Sequence, residues 1–180
     1  GELNLNSYNV ISGEQEWKKM LNHELDMIRP YEILRQDFSK NTKRNINKAE
    51  KNGLRVVNNL QPETLVSLFQ MNKGKEFKHI SDDHYKRLTR LMHTLLHKNE
   101  GETYACLSPE NEVIASAFFI RKDGRLIFFF SALSESGKEL GAMFFLIDSF
   151  IRNYSETIYT LDFEGSNNPD LARFYKKIER

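Results

Sequence analysis

Three strand-like runs, ETYACLS, VIASAFFIRK and RLIFFFSAL, follow one another between residues 102 and 133. Only PENE and KDG separate them, and both are turn-forming stretches. A parallel connection needs a dozen or more residues, so connections this short commit the three runs to antiparallel neighbours. Downstream, Leu140, Met143, Phe144, Ile147, Phe150, Ile151 and Tyr154 recur at helical spacing, which predicts a helix over residues 138–154. TIYTLDFEG then reads as a further strand, and residues 169–177 as a last helix. The second half is therefore a meander, a helix, a strand and a helix.

The first half is predicted mainly helical. Trp17, Met20, Leu21 and Leu25 fall on one helical face, and Pro30 suits the first turn of a short helix through Phe38. SKNTKRNINKAEKNG reads as a helix, with Ser39 or Asn41 as its N-cap and Gly53 as its stop. A short strand over residues 54–57 and a helix from Pro62 to about Phe69 follow. In DDHYKRLTRLMHTLLHK, the residues Tyr85, Leu88, Leu91, Met92, Leu95 and Leu96 form one apolar stripe. A chain of 180 residues is expected to make one domain and to bury roughly 70% of its unfolded surface.

Composition removes several classes of function. The net charge is +1, so no global field points to DNA or a membrane. No apolar run approaches the length of a membrane span, and a cytoplasmic location is expected. Cys106 is the only cysteine, which excludes an intrachain disulfide and suits a small buried hydrophobe better than a reactive thiol. His93 and His97 are four apart, but Thr94 stands where a zinc-peptidase helix needs Glu, and no metal is expected. Gly137-Lys138 is not a nucleotide-triphosphate loop, because Ala132 and Glu139 break its pattern.

Two groups of residues carry chemistry. Asp162 and Glu164 are two apart in a strand-like run, which puts both on one face, while Leu161 and Phe163 take the other. A carboxylate beside an apolar wall has a raised pKa and suits a general base; the alternative is a cap on the turn into the next helix. The second group is basic. Arg44, Lys48, Lys51 and Arg55 form one stripe, joined by Lys40 and Lys43 against the single acid Glu50. Arg44, Lys48 and Lys51 are candidate anion ligands for the phosphates of a nucleotide-linked donor, a tRNA acceptor stem or a lipid head group; the alternative is a solvated helix face.

The element order and ARFYKKI, an aromatic followed by Tyr175 on the last helix, resemble the GNAT superfamily of acyltransferases. DFEGSNNPDLARFYKKI together with SKNTKRNINKAEKNGLRV resembles its FemABX-like branch, which includes the aminoacyltransferases of peptidoglycan cross-bridges. The resemblance covers residues 39–178 and implies an α/β fold, with a mixed, mostly antiparallel central sheet flanked by helices. Residues 1–38 would be a helical N-terminal extension and residues 39–180 the transferase domain, as the C-terminal half of a larger protein. The family continues past the last helix with further strands. By the same resemblance, Tyr175 is the acid for the leaving group, and Ser131 sits where the strand splays to expose an amide to the acyl carbonyl. The donor loop is SESGKELGA, with Ser136, Gly137, Lys138, Gly141 and Asn168 as donor contacts. It departs from the family, since Gly137 and Gly141 are separated by three residues rather than one, and Pro169 stands where Asn is usual.

Together these features imply an N-acyltransferase that moves an acyl or aminoacyl group directly to an amine. Glu164 is the first choice of base and Asp162 the second. The donor is acyl-coenzyme A, an acyl carrier protein or an aminoacyl-tRNA, and the acceptor is a small-molecule or peptidoglycan-precursor amine. The alternative is a catalytically silent module binding a partner or an anionic ligand, with the groove filled by the rings of residues 128–130.

Overall fold

The computed structural model describes residues 23–77 and 80–164. The chain forms β1 (Glu24–Asp26), α1 (Tyr31–Asp37), α2 (Lys40–Lys51), β2 (Arg55–Asn58), α3 (Pro62–Met71) and α4 (Asp82–His97). It continues through β3 (Gly101–Leu107), β4 (Val113–Lys122), β5 (Arg125–Leu133), α5 (Glu135–Leu140), α6 (Ala142–Tyr154) and β6 (Thr160–Asp162). The six strands lie in one sheet in the order β1-β6-β5-β4-β3-β2. All neighbours are antiparallel except β5 and β6, which run parallel. The expected mixed, mostly antiparallel sheet flanked by helices is the fold observed.

Local chemistry explains many of the boundaries. Ser39 caps α2, its hydroxyl accepting from the Thr42 amide at 3.1 Å, and the helix ends before Gly53 at φ +69°. The β4–β5 hairpin turns on Asp123 and Gly124, both at positive φ, which matches the twist of the two strands. Tyr104, Ala117, Phe119, Leu126 and Phe128 meet α6, α2 and α1 on one face of the sheet, where Phe119 and Phe150 stack. Phe118 and Ala132 meet α3 and α4 on the other.

Two bulges break the alternation of the central strands. Phe118 and Phe119 pair with Phe130 and Phe128, so Phe129 is an extra residue in β5. It reverses the parity of that strand. Leu126 and Phe128 pack under α6, whereas Phe129, Phe130 and Ala132 pack under α3 and α4. Cys106 and Leu107 pair with Ala115 and Val113, leaving Ile114 extra in β4. The Ile114 carbonyl accepts from both the amide (2.9 Å) and the hydroxyl (3.1 Å) of Ser134.

Several expectations need correction. Leu25 is not on a helix but in β1, paired with Leu161, so part of the expected helical extension is a sheet strand. The helix expected over residues 138–154 is two helices. It begins at Glu135 and breaks at Gly141, whose φ is +75° and whose Cα faces the Asn45 carbonyl so closely that a Cβ would lie 2.8 Å from it. Leu91 lies off the apolar stripe of α4, at 44% exposure, while Met92 is buried. The helix expected around Trp17, Met20 and Leu21, and the last helix with Asn168, Pro169 and Tyr175, lie outside the described residues.

Gly137 packs against β4, and a Cβ there would stand 2.2 Å from the Ile114 carbonyl oxygen and 2.9 Å from Leu133. Gly137→Ala is therefore expected to cost about 1–3 kcal/mol of stability in urea unfolding. An unchanged midpoint would show that the α5 junction yields freely.

Candidate active site

The site begins where β5 and β6 part. Their parallel pairing covers Arg125 with Thr160, Leu126 with Leu161 and Ile127 with Asp162, and then stops. Beyond that point Phe163 turns its amide to the His23 carbonyl (3.0 Å), on the side of β1. Among the described residues, no strand pairs with residues 128–133 of β5 on that edge. Ser131 lies in this open stretch, opposite Ala117 of β4. The rings of Phe128, Phe129 and Phe130 pack into the two cores. Phe128 lies near Phe119 and Phe163, Phe129 near Phe118, and Phe130 near Phe69.

Asp162 and Glu164 stand at the end of β6, but not as two residues of one strand face. β6 ends at Asp162, and Glu164 has left-handed backbone, φ +52°. Asp162 is buried, and its Oδ2 accepts from Arg125 Nη2 at 2.5 Å and Nε at 3.2 Å. Its Oδ1 accepts from the Glu164 amide at 2.8 Å. The Asp162 carboxylate is thus engaged on both oxygens and holds the turn in which Glu164 sits. Glu164 is half-buried, and among the described residues no hydrogen bond or ion pair engages its carboxylate. Burial raises its pKa above the ordinary carboxylate range, and the negative charge of Asp162 raises it further.

Arg125 makes this arrangement possible, and sequence reasoning missed it. Its Nη2 also donates to Glu24 Oε1 of β1 at 2.5 Å, so one guanidinium joins β5, β6 and β1. In the sequence it is a lone basic residue after a turn, with no spacing that ties it to residues 37 positions away.

The loop expected to bind the donor lies at the other end of β5. Ser134 caps α5, its hydroxyl accepting from the Gly137 amide at 3.0 Å. Ser136 and Lys138 are exposed, whereas Gly137 and Gly141 are buried against β4 and α2. The unusual glycine spacing thus reflects two close backbone contacts, with Ile114 and Asn45. The basic stripe adjoins this loop, since Lys48 Nζ donates to the Glu139 carbonyl at 2.7 Å. Arg44 donates to Asn41 Oδ1 at 2.8 Å, Lys51 is exposed, and Arg55 reaches Asn111.

Other candidates are structural. Cys106 is fully buried, and burial pushes its thiol up to about 12. His93 Nε2 lies 2.8 Å from Glu63 Oε1 on the exposed side of α3 and α4. Among the described residues no group of His, Cys, Asp and Glu has the makings of a metal site, and no helix is long and apolar enough to cross a membrane.

A family model described as an acetyltransferase (GNAT) domain matches residues 36–177. The chain belongs to that family. It is a GNAT-type acyltransferase domain, FemX-like in fold. A crystal structure of FemX superposes with a TM-score of 0.69 at 12% identity, covering 87% of this chain and 57% of FemX. A conserved protein of unknown function from Bacteroides thetaiotaomicron VPI-5482 gives 0.63 at 8% identity, covering 88% of this chain and 55% of that one. A possible acetyltransferase from Clostridium difficile 630 gives 0.53 at 14% identity, covering 69% of this chain and 88% of that one. The chain thus spans little more than half the length of the first two, and at these identities the likeness is one of fold. No curated protein matches the sequence.

Asp162→Asn keeps an oxygen for the Glu164 amide and removes a negative charge beside it. The Glu164 pKa, followed by carboxyl NMR, is expected to move down towards the ordinary range. An unchanged or higher value would show that Asp162 does not act on Glu164.

Proposed function

We propose that this domain transfers an acyl or aminoacyl group from an activated donor to an amine in one direct transfer, with Glu164 as base. The parting of β5 and β6 beside a half-buried carboxylate of raised pKa is the observation that carries this reading. The activated carbonyl enters between the strands, where an amide of β5 near Ser131 receives its oxygen. The amine gives a proton to Glu164 as its nitrogen bonds to the carbonyl carbon. The negative charge then rests on the oxygen at the β5 amide. As the intermediate collapses, the bond to the leaving group breaks, and that group takes a proton from Tyr175.

Asp162 acts as a positioning residue. Paired with Arg125 and bonded to the Glu164 amide, it fixes the base and lifts its pKa. Ser136 and Lys138, with Asn168, hold the donor's phosphate-bearing end. Gly137 and Gly141 bring that loop close to the sheet and α2. The packing of Phe128, Phe129 and Phe130 in the two cores favours transfer over a silent binding module filled by those rings. Acyl-coenzyme A, an acyl carrier protein and aminoacyl-tRNA all present a carbonyl that suits this geometry, and a small-molecule or peptidoglycan-precursor amine suits the acceptor side. Donors of these kinds place the reaction in the cytoplasm. Residues 39–180 carry the transfer, with residues 1–38 as an extension that adds β1 to the sheet.

Glu164→Gln is expected to lower kcat by about 10²–10⁴-fold while leaving donor affinity within a factor of about two. In the wild type, kcat/KM should fall as pH falls through the raised Glu164 pKa, because protonation removes the base. Unchanged turnover in Glu164→Gln would contradict the assignment.

A further inference from the structure

β1 meets the segment that carries Glu164 at two points. The His23 carbonyl accepts from the Phe163 amide at 3.0 Å, and Glu24 Oε1 accepts from Arg125 Nη2 at 2.5 Å. In the β1–β6 register Glu24 stands directly opposite Asp162. Like charges opposite one another on antiparallel strands repel, so the ladder alone would favour a neutral residue at position 24. Arg125 offsets that repulsion. Its Nη2 lies 2.5 Å from an oxygen of each carboxylate, and the two ion pairs share one guanidinium.

The shared guanidinium decides how Asp162 is held. Arg125 gives Asp162 Oδ2 both Nη2, at 2.5 Å, and Nε, at 3.2 Å. Its side chain is 30% exposed, and a single carboxylate would leave it other rotamers that reach water. Glu24 accepts from the same Nη2 on the β1 side and takes that freedom away. With Oδ2 fixed, Oδ1 meets the Glu164 amide at 2.8 Å. That bond matters because Glu164 has φ +52°, a left-handed backbone that is costly for a residue other than glycine and persists only where its surroundings impose it. Three contacts thus run from β1 to the candidate base: Glu24 to Arg125, Arg125 to Asp162, and Asp162 to the Glu164 amide.

We infer that Glu24 is a positioning residue for Glu164, holding Arg125 where Asp162 can fix the left-handed turn. This rests on Glu164 being the base, and it makes the site depend on a strand that precedes residue 39. Glu24 acts through Arg125 and moves no proton in the transfer. A Glu24 that only tied β1 to its neighbours would steady the whole strand. A positioning Glu24 acts on the Glu164 amide, whereas the Phe163 amide is held by the His23 carbonyl without help from Arg125. The two roles differ in which amides loosen when the carboxylate is removed.

Amide hydrogen exchange followed by NMR in wild type, Glu24→Ala and Glu24→Gln tests this without a substrate. The Glu24 side chain is 41% exposed, so both variants keep the fold, which circular dichroism checks. In Glu24→Ala the Glu164 amide should exchange about tenfold faster than in wild type, while the Phe163 amide keeps its rate. Glu24→Gln retains an oxygen for Arg125 Nη2 and should bring the Glu164 amide back to within about threefold of wild type. An unchanged Glu164 rate in Glu24→Ala overturns the inference. Equal acceleration of the Phe163 and Glu164 amides overturns it in favour of a tie for the whole strand. A Glu164 amide as fast in Glu24→Gln as in Glu24→Ala overturns the route through the Arg125 hydrogen bond. None of these outcomes touches the base reading, which fails separately if Glu164→Gln turns over like wild type.

Discussion

One guanidinium holds the working half of this sheet together. β1 and β6 are three residues long, and ladders so short offer few hydrogen bonds. Arg125 adds charge-assisted bonds across all three strands, to Asp162 of β6 and Glu24 of β1. The consequences run outward from that contact. It fixes where β5 and β6 stay paired and so where they part. It leaves the second oxygen of Asp162 for the Glu164 amide, which sets Glu164 in its left-handed turn. It also keeps a negative charge beside Glu164, so the same contact that stabilises the strand tunes the candidate base.

The bulges are the second device. An unbroken β5 would send Phe128 and Phe130 to the same face; with Phe129 inserted, they go to opposite cores. Leu133 consequently packs on the side of α6, and the chain runs from it into α5. In β4 the extra residue Ile114 frees a carbonyl, and two bonds from Ser134 occupy it. Gly137 closes on the same carbonyl. Both irregularities sit beside the candidate site, and bulges of this kind re-aim a strand.

Much of this was legible in the sequence, and the reasons for the rest are physical. The meander, the Ser39 cap and the end of α2 before Gly53 depend on contacts a few residues apart, so local pattern announces them. The break at Gly141 is set by the Asn45 carbonyl of a distant helix, and helical periodicity runs straight through it. β1 forms because β6 is there to pair with it, and three residues carry no period of their own. Phe128, Phe129 and Phe130 look interchangeable in the sequence, since nothing in FFF says which ring is the extra one. At the candidate site, two carboxylates near the end of a strand are what made Asp162 and Glu164 candidates. That Asp162 is engaged and, among the described residues, Glu164 is not depends on Arg125, and a pairing across 37 residues leaves no local mark.

The open edge of β5 is the feature on which the transfer reading depends most directly, and hydrogen exchange tests it. Exchange of the amides over residues 128–133 would be compared with and without a saturating acyl-coenzyme A. Binding along the edge predicts slower exchange at those amides of β5 that point away from β4, with little change in β2 and β3. Slowed exchange confined to other elements, with β5 untouched by a bound donor, would contradict it.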